Sequence, residues 1–158
     1  MSRGDRPYVS SRSAALTIGA SGSEVRRASK WLLDTCRQHD VPHALVDRLE
    51  LCLNEVLANV IAHGGRAALS APIGLLLEIS LTPCCNQAFV TVSDAGTAFD
   101  PRSAPDRAVP ERLADAAPNG MGLMMIRRFA DWLDYRHEDV HNHFTVGTRW
   151  AFDETSRS

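Results

Sequence analysis

Apolar residues recur at helical spacing in two segments near the start of the chain. The first segment predicts a helix from about Glu24 to Gln38, with Ser21 or Ser23 as its N-terminal cap. Its inward-facing positions are Val25, Ala28, Trp31, Leu32 and Cys36. The second segment predicts a helix from about Ala44 to Ala62, which stops at the Gly64-Gly65 pair because glycine commonly follows the last helical residue.

Runs rich in β-branched and aromatic residues predict the strands. They cover 15–18, 73–82, 89–93, 132–137 and 143–152, and the second and third form a hairpin across a polar turn. A third helix is expected over 121–131. This order of elements predicts an α+β fold, in which a mixed, mainly antiparallel sheet is covered by helices on one face.

Three segments lack a periodic pattern. Residues 1–13 are expected to form a flexible tail, and residues 154–158 a second one. Residues 100–119 contain four prolines and many charges, which predicts a long loop, and loops of this length in compact domains are usually functional or disordered. The chain has 158 residues, a length that suits one domain, placed here at 14–153.

Composition narrows the possible partners. A formal net charge of -2 argues against a general nucleic-acid binder, because there is no basic excess to replace phosphate counterions. Lys30 is the only lysine, so a phosphate site must use arginine, backbone amides or a metal ion. No apolar run is long enough to cross a bilayer and the N-terminus is polar, so no membrane partner and a cytoplasmic location are expected.

The four cysteines fit a reducing compartment. Cys36 and Cys52 fall on apolar helix faces, where a free thiol behaves as a small hydrophobic group. Cys84 and Cys85 are adjacent and lack the spacing of zinc ligands. We therefore expect neither a structural disulfide nor a cysteine metal site.

Three polar residues lie four apart along the second predicted helix: Glu55, Asn59 and His63. Each four-residue step rotates by about 40°, so they form one slanting row at the edge of the apolar stripe. An amide oxygen suits Mg²⁺, and a carboxylate one turn earlier can deprotonate an attacking hydroxyl. A solvated helix rim explains the same residues, so this helix alone leaves both interpretations open.

An acidic residue ends the predicted strand 89–93. Asp94 is followed by Gly96, Phe99 and Asp100. A carboxylate at a strand end can accept a hydrogen bond from the exocyclic amine of adenine, and Gly96 would let the backbone approach a flat base. Asp and Gly are also ordinary turn residues, so a plain turn is the alternative.

A glycine-rich turn precedes the third predicted helix, at Asn119-Gly120-Met121-Gly122-Leu123. Free backbone amides at a helix start can bind phosphate oxygens. The segment lacks the lysine of a Walker A loop, and no strand precedes it as a Rossmann fingerprint requires. Taken alone, it is equally explained as a helix cap with flexible glycines.

The three motifs occur in a fixed order: E-x-x-x-N-x-x-x-H, then D-x-G-x-x-F-D-P, then G-x-G-L. This set resembles the N box and glycine boxes of the GHKL (histidine-kinase-like) ATPase superfamily. The short length and the segment EVRRASKWLLDTC…RLELCLNEVLANVIAHGG look most like the stand-alone anti-sigma-factor serine-protein kinases. The likeness extends from about Ala15 to Phe152.

The resemblance implies a Bergerat-type ATP-binding α/β sandwich with ATP and Mg²⁺ as cofactors. Asn59 would coordinate Mg²⁺ and Glu55 would be the general base. Asp94 would bind the adenine amine, and the ATP lid would span about 101–119. The other implied nucleotide contacts are His63, Gly96, Phe99, Gly120, Met121, Gly122 and Leu123.

The resemblance also implies a function. Such kinases phosphorylate a serine of a small STAS-type anti-anti-sigma protein and hold a sigma factor inactive, usually as homodimers that exchange partners. An alternative is a protein-binding module of the same fold that uses ATP as a conformational clamp or regulates another client. A third interpretation is the ATP-binding half of a split histidine kinase, although the sequence contains no phospho-acceptor helix.

Three further features of the sequence bear on this interpretation. Many family members carry a basic residue just before the histidine of the first motif, whereas this chain has Ala62. His137, His141 and His143 cluster near Glu138 and Asp139, which offers a transition-metal site as the alternative to a polar hairpin tip. Arg102, Arg107 and Arg112 in the predicted lid are candidates for phosphate contacts or ordinary solvated charges.

Overall fold

The computed structural model describes residues 10–100 and 126–151, and its first half contains one strand and three helices. These elements are β1 (Ser10–Ile18), α1 (Gly22–Gln38), α2 (His43–His63) and α3 (Gly65–Ser70). Ser21 is the N-cap of α1, because its hydroxyl accepts a hydrogen bond from the backbone amide of Glu24 at 3.3 Å. Both long helices are confirmed within two residues of their predicted ends.

The second half of the described chain completes a five-stranded sheet. Its strands are β2 (Ile73–Leu81), β3 (Asn86–Asp94), β4 (Trp132–Glu138) and β5 (His141–Trp150). The strand order is β1-β2-β3-β5-β4, and all four described pairings are antiparallel. β5 therefore lies between β3 and β4, and its residue Asn142 pairs with Asp94 at the end of β3.

The helices cover one face of this sheet. α2 packs against β3 and β5, while α1 packs against α2 and β1. Residues alternate between buried and half-exposed along the whole of β3, as expected when one face meets the core. On the opposite face the side chains of Leu76 and Trp132 remain 38% and 45% exposed. The predicted fold class is confirmed.

Several predicted boundaries are wrong. β1 begins at Ser10 rather than Ala15, so residues 10–13, assigned to the tail, pair with β2. Backbone pairing at a sheet edge does not need apolar side chains, so hydrophobic pattern could not locate this start. The six-residue helix α3 was not predicted, because fewer than two turns are too short to show a period.

The third predicted helix, 121–131, lies partly outside the described residues. Residues 126–129 are helical, but Ala130 and Asp131 are not. The backbone amide of Asp131 donates to the carbonyl of Gly147 in β5 at 2.9 Å, which draws the chain into β4. Within the described ranges, no helix has both the length and the apolar composition that crossing a bilayer requires.

Candidate functional site

A cavity lies between α2, the end of β3 and the β4–β5 hairpin. It encloses about 520 Å³ of empty space, part of it open to solvent. Its lining comprises Val56, Asn59, Val60, His63, Gly64, Asp94, Thr97, Phe99, Ile126, Tyr135, Asn142 and Phe144. Mostly apolar walls with a few convergent polar groups are typical of a small-molecule site.

Asp94 is the charged group inside this cavity, and it is only 4% exposed. Its Oδ1 accepts two hydrogen bonds, from the backbone amide of Gly96 at 2.8 Å and from Nδ2 of Asn142 at 3.2 Å. Among the described residues, Oδ2 has no hydrogen-bond partner, and it is not sealed from solvent. The carboxylate therefore keeps one accepting oxygen available to a donor that enters the cavity.

Gly96 lies where the loop after β3 crosses the end of α2. The amide of Thr97 donates to the carbonyl of Gly64 at 3.1 Å. A Cβ at Gly96 would lie 2.8 Å from both Cα and O of Gly64. The need for glycine here thus arises from close packing between two backbone segments, a reason different from the base contact suggested by the sequence.

The predicted row on α2 is only partly directed into the cavity. Asn59 is half-buried and His63 exposed, and both line the cavity. Glu55, also half-buried, is not among the lining residues. The amide oxygen of Asn59 has no hydrogen-bond partner in the described part of the chain, so it is free to act as a hard ligand for a cation.

The remaining predicted contacts have different outcomes. Phe99 lies at the cavity with 52% of its surface exposed, and its amide donates to the hydroxyl of Tyr135 at 3.0 Å. Four predicted phosphate-site residues, Gly120, Met121, Gly122 and Leu123, lie outside the described residues. The whole predicted lid, 101–119, with Arg102, Arg107 and Arg112, also lies outside them.

The histidines of the β4–β5 hairpin each use Nδ1 in a separate contact. These contacts are His137 with Oδ1 of Asn142 at 3.2 Å, His141 with the carbonyl of Asp139 at 2.8 Å, and His143 with Oγ of Ser93 at 2.8 Å. In the described ranges, no group of three or more His, Cys, Asp or Glu side chains is placed to hold a metal ion.

Sequence reasoning did not identify Asn142 and Tyr135 as site residues. Asn142 is 6% exposed and is the cross-strand partner of Asp94 in the β3–β5 register. The hydroxyl of Tyr135 donates to Oδ1 of Asn142 at 2.5 Å. An asparagine in a strand carries no local signal of such a role, and only the strand order places it beside Asp94.

Two of the cysteines, one on α1 and one on α2, are buried. Burial raises the pKa of the Cys36 thiol to about 11. Burial also raises the pKa of Cys52 on α2 to about 11, with a smaller contribution from the nearby charge of Glu55. All four cysteines are free thiols, and Cys84 is exposed.

The chain is similar in sequence to proteins described as ATPases and protein kinases. Residues 18–147 match the family described as histidine kinase-like ATPase domain. The chain is 28% identical over 143 residues to the serine/threonine-protein kinase BtrW of Bordetella bronchiseptica, a match that covers 90% of this chain and 98% of that protein.

Two solved structures share the fold at 13% sequence identity. The structure of the RsbU and RsbW domains of Rv1364c from Mycobacterium tuberculosis superposes with a TM-score of 0.57, covering 90% of this chain and 34% of that one. The SiaB–SiaC complex from Pseudomonas aeruginosa gives a TM-score of 0.53, with coverage of 87% and 89%.

Proposed function

Since the chain belongs to the histidine kinase-like ATPase family, we propose that it is an ATP-dependent serine/threonine-protein kinase of the anti-sigma-factor type. Its phospho-acceptor is a serine on a STAS-type anti-anti-sigma partner, and its second client is a sigma factor. The observation that carries the nucleotide assignment is the half-satisfied carboxylate of Asp94 inside a largely apolar cavity.

Asp94 selects the base by its hydrogen-bonding pattern. Because two donors occupy Oδ1, Oδ2 is left to accept a hydrogen bond from the exocyclic amine of adenine. Guanine and hypoxanthine present a carbonyl at that position, which would face the carboxylate as a second acceptor. The apolar walls that Val56 and Phe144 contribute bury the faces of the base.

Transfer of the γ-phosphoryl group uses the row on α2. The serine oxygen of the partner attacks phosphorus, its proton goes to the carboxylate of Glu55, and the bond to the bridging β–γ oxygen breaks to release ADP. Asn59 would hold Mg²⁺ through its unpartnered amide oxygen, and the ion supplies charge neutralisation at the phosphates when bound. His63 lines the same cavity as Asn59.

The replacement Asp94→Asn tests the base assignment sharply. Two donors surround Oδ1, so the amide oxygen of the new side chain takes that position and its NH₂ faces the base amine. Losing a hydrogen bond to a charged acceptor costs about 1.5–3 kcal/mol, so ATP affinity falls about 10- to 150-fold. Inosine triphosphate, whose carbonyl can accept from the NH₂, gains relative to ATP.

Calorimetry with both nucleotides measures these affinities, and Asp47→Asn, on the exposed surface of α2, is the matched control. An Asp94→Asn variant that binds ATP as tightly as the unchanged protein contradicts the assignment. So does unchanged protein that binds ATP and inosine triphosphate equally.

In a second candidate function, the protein binds nucleotide as a conformational clamp and transfers no phosphoryl group. It is favoured by one observation, that Glu55 is not among the residues lining the cavity. Incubating the protein with Mg-ATP and a STAS partner separates the two candidates. Phosphoserine on the partner supports the kinase, and nucleotide-dependent binding without transfer supports the clamp.

The variant Glu55→Ala assigns the base in the same assay. It is expected to spare nucleotide binding and slow transfer about 10²- to 10⁴-fold, the usual contribution of a general base. Glu50→Ala is the control, because Glu50 on the same helix lines the groove towards α1 instead. Equal loss of binding and transfer would make Glu55 a structural residue.

We further propose that the protein forms a homodimer. The sheet face opposite the helices leaves Leu76 and Trp132 substantially exposed, which provides apolar surface for a second copy. Light scattering of the purified protein measures the mass in solution, and a monomer at high concentration would remove this element of the proposal.

A further inference from the structure

Asn142 lies at the centre of a hydrogen-bond network that no sequence motif marks. Its Nδ2 donates to Oδ1 of Asp94 at 3.2 Å, to the carbonyl of Gly96 at 3.2 Å and to the carbonyl of Thr97 at 3.0 Å. Two hydrogens serve three acceptors, so at least one contact is shared. The side chain is 6% exposed and lines the cavity.

The chemistry of these neighbours fixes the orientation of the amide. Its nitrogen faces a carboxylate oxygen and two carbonyls, all of which only accept. Its oxygen faces the hydroxyl of Tyr135 at 2.5 Å and Nδ1 of His137 at 3.2 Å. An aspartate of the same shape would put an acceptor against three acceptors, so the position requires both faces of an amide.

The network also fixes the loop that leaves β3. The hydroxyl of Tyr135 accepts from the amide of Phe99 at 3.0 Å while it donates to Asn142. The side-chain amide of Asn142 donates to the carbonyls of Gly96 and Thr97. Asn142 of β5 and Tyr135 of β4 therefore hold the loop in a fixed position relative to the carboxylate of Asp94.

From this geometry we propose that Asn142, supported by Tyr135, is the positioning residue that aims Oδ2 of Asp94 at the exocyclic amine of the bound base. This inference rests on the proposed nucleotide function and specifies how its base selectivity arises. Without the Nδ2 donor, Oδ1 keeps only the Gly96 amide. The carboxylate can then rotate, and its second oxygen is no longer held towards the ligand.

The test compares ATP with purine riboside triphosphate, which has hydrogen in place of the exocyclic amine. If Asn142 acts through Asp94 and that amine, Asn142→Ala weakens ATP binding about five- to tenfold and changes the analogue's affinity less than twofold. Tyr135→Phe keeps the ring and removes the hydroxyl, and it is expected to weaken ATP two- to threefold with the same selectivity. Calorimetry gives all the dissociation constants.

Thr148→Val is the matched control, because Thr148 is a polar side chain buried on the same strand. It is expected to bind both ligands as the unchanged protein does. If Asn142→Ala does not fold, Tyr135→Phe decides the question by the same comparison of ligands.

The outcomes separate this inference from the function on which it rests. Equal losses for both ligands, or no loss for either, would overturn the positioning role and leave the ATP site standing. Unchanged protein that binds ATP no better than the analogue would remove the base assignment itself, and with it the role of Asn142.

Discussion

Replacing Gly96 by alanine tests how closely the loop after β3 is packed against α2. The added Cβ would lie 2.7 Å from Oδ1 of Asp94 and 2.8 Å from Cα and O of Gly64, whereas ordinary contact begins at 3.4 Å. The distance to Gly64 falls short of ordinary contact by 3.4 − 2.8, or about 0.6 Å, and the Gly64 atoms are backbone atoms that cannot rotate away from the new Cβ. The loop must therefore separate from α2.

Overpacking of this kind costs about 1–3 kcal/mol of unfolding free energy. A cost near 2 kcal/mol lowers the melting temperature of a chain of this size by about 4–8 °C. The hydrogen bond from the amide of Thr97 to the carbonyl of Gly64 is lengthened by the same displacement. Because Asp94 moves with the loop, ATP affinity is expected to fall in parallel.

Urea denaturation followed by circular dichroism measures the loss of stability. Gly19→Ala is the control, because its Cβ would be 3.8 Å from the nearest atom, Cγ of Glu24, and its stability should change by less than about 0.5 kcal/mol. Equal unfolding midpoints for the two variants would refute the packing argument. Full stability with lost ATP binding would instead make Gly96 a direct ligand contact.

Two further predictions concern stability. Thr148 is 1% exposed and its hydroxyl has no hydrogen-bond partner among the described residues, so Thr148→Val should raise the free energy of unfolding by about 1 kcal/mol in urea titrations; a loss of stability would reveal a partner for the hydroxyl. The raised pKa values of Cys36 and Cys52, about 11 against an ordinary 9.0, mean that the unfolded chain releases protons first as the pH rises. The contribution of the two buried thiols to the free energy of unfolding is therefore complete below about pH 9 and is lost towards about pH 11. The urea midpoint is expected to be lower at about pH 10 than at about pH 8. Cys84→Ser should leave that decline unchanged, and no decline in the unchanged protein would contradict the burial argument.

Residues whose pattern is local were predictable from the sequence. The long amphipathic helices and the β2–β3 hairpin carry their own periodicity, and Asp94 at a strand end was identified as a candidate acceptor. That these residues form one site could be predicted only from the ordered set of motifs, because each motif alone fits a plain helix rim or turn. The structure brings Asn59, His63 and Asp94 to that cavity.

Other features arise only from tertiary contacts. Asn142 becomes a neighbour of Asp94 because β5 inserts between β3 and β4, a strand order that sequence pattern does not encode. The requirement for Gly96 comes from Gly64, which lies on a different element. Tyr135 would pass as an ordinary aromatic residue of a strand, since its hydroxyl partners come from β5 and the loop after β3.

The central position of β5 has a consequence for biosynthesis. β3 can pair with β2 as soon as its hairpin forms, but its other edge waits for a partner about fifty residues further along the chain. During translation that edge stays open, and the carboxylate of Asp94 has no asparagine beside it. The cavity beside Asp94 can therefore form, and a ligand bound in it can stabilise the protein, only late in folding, after the β4–β5 hairpin has paired with β3.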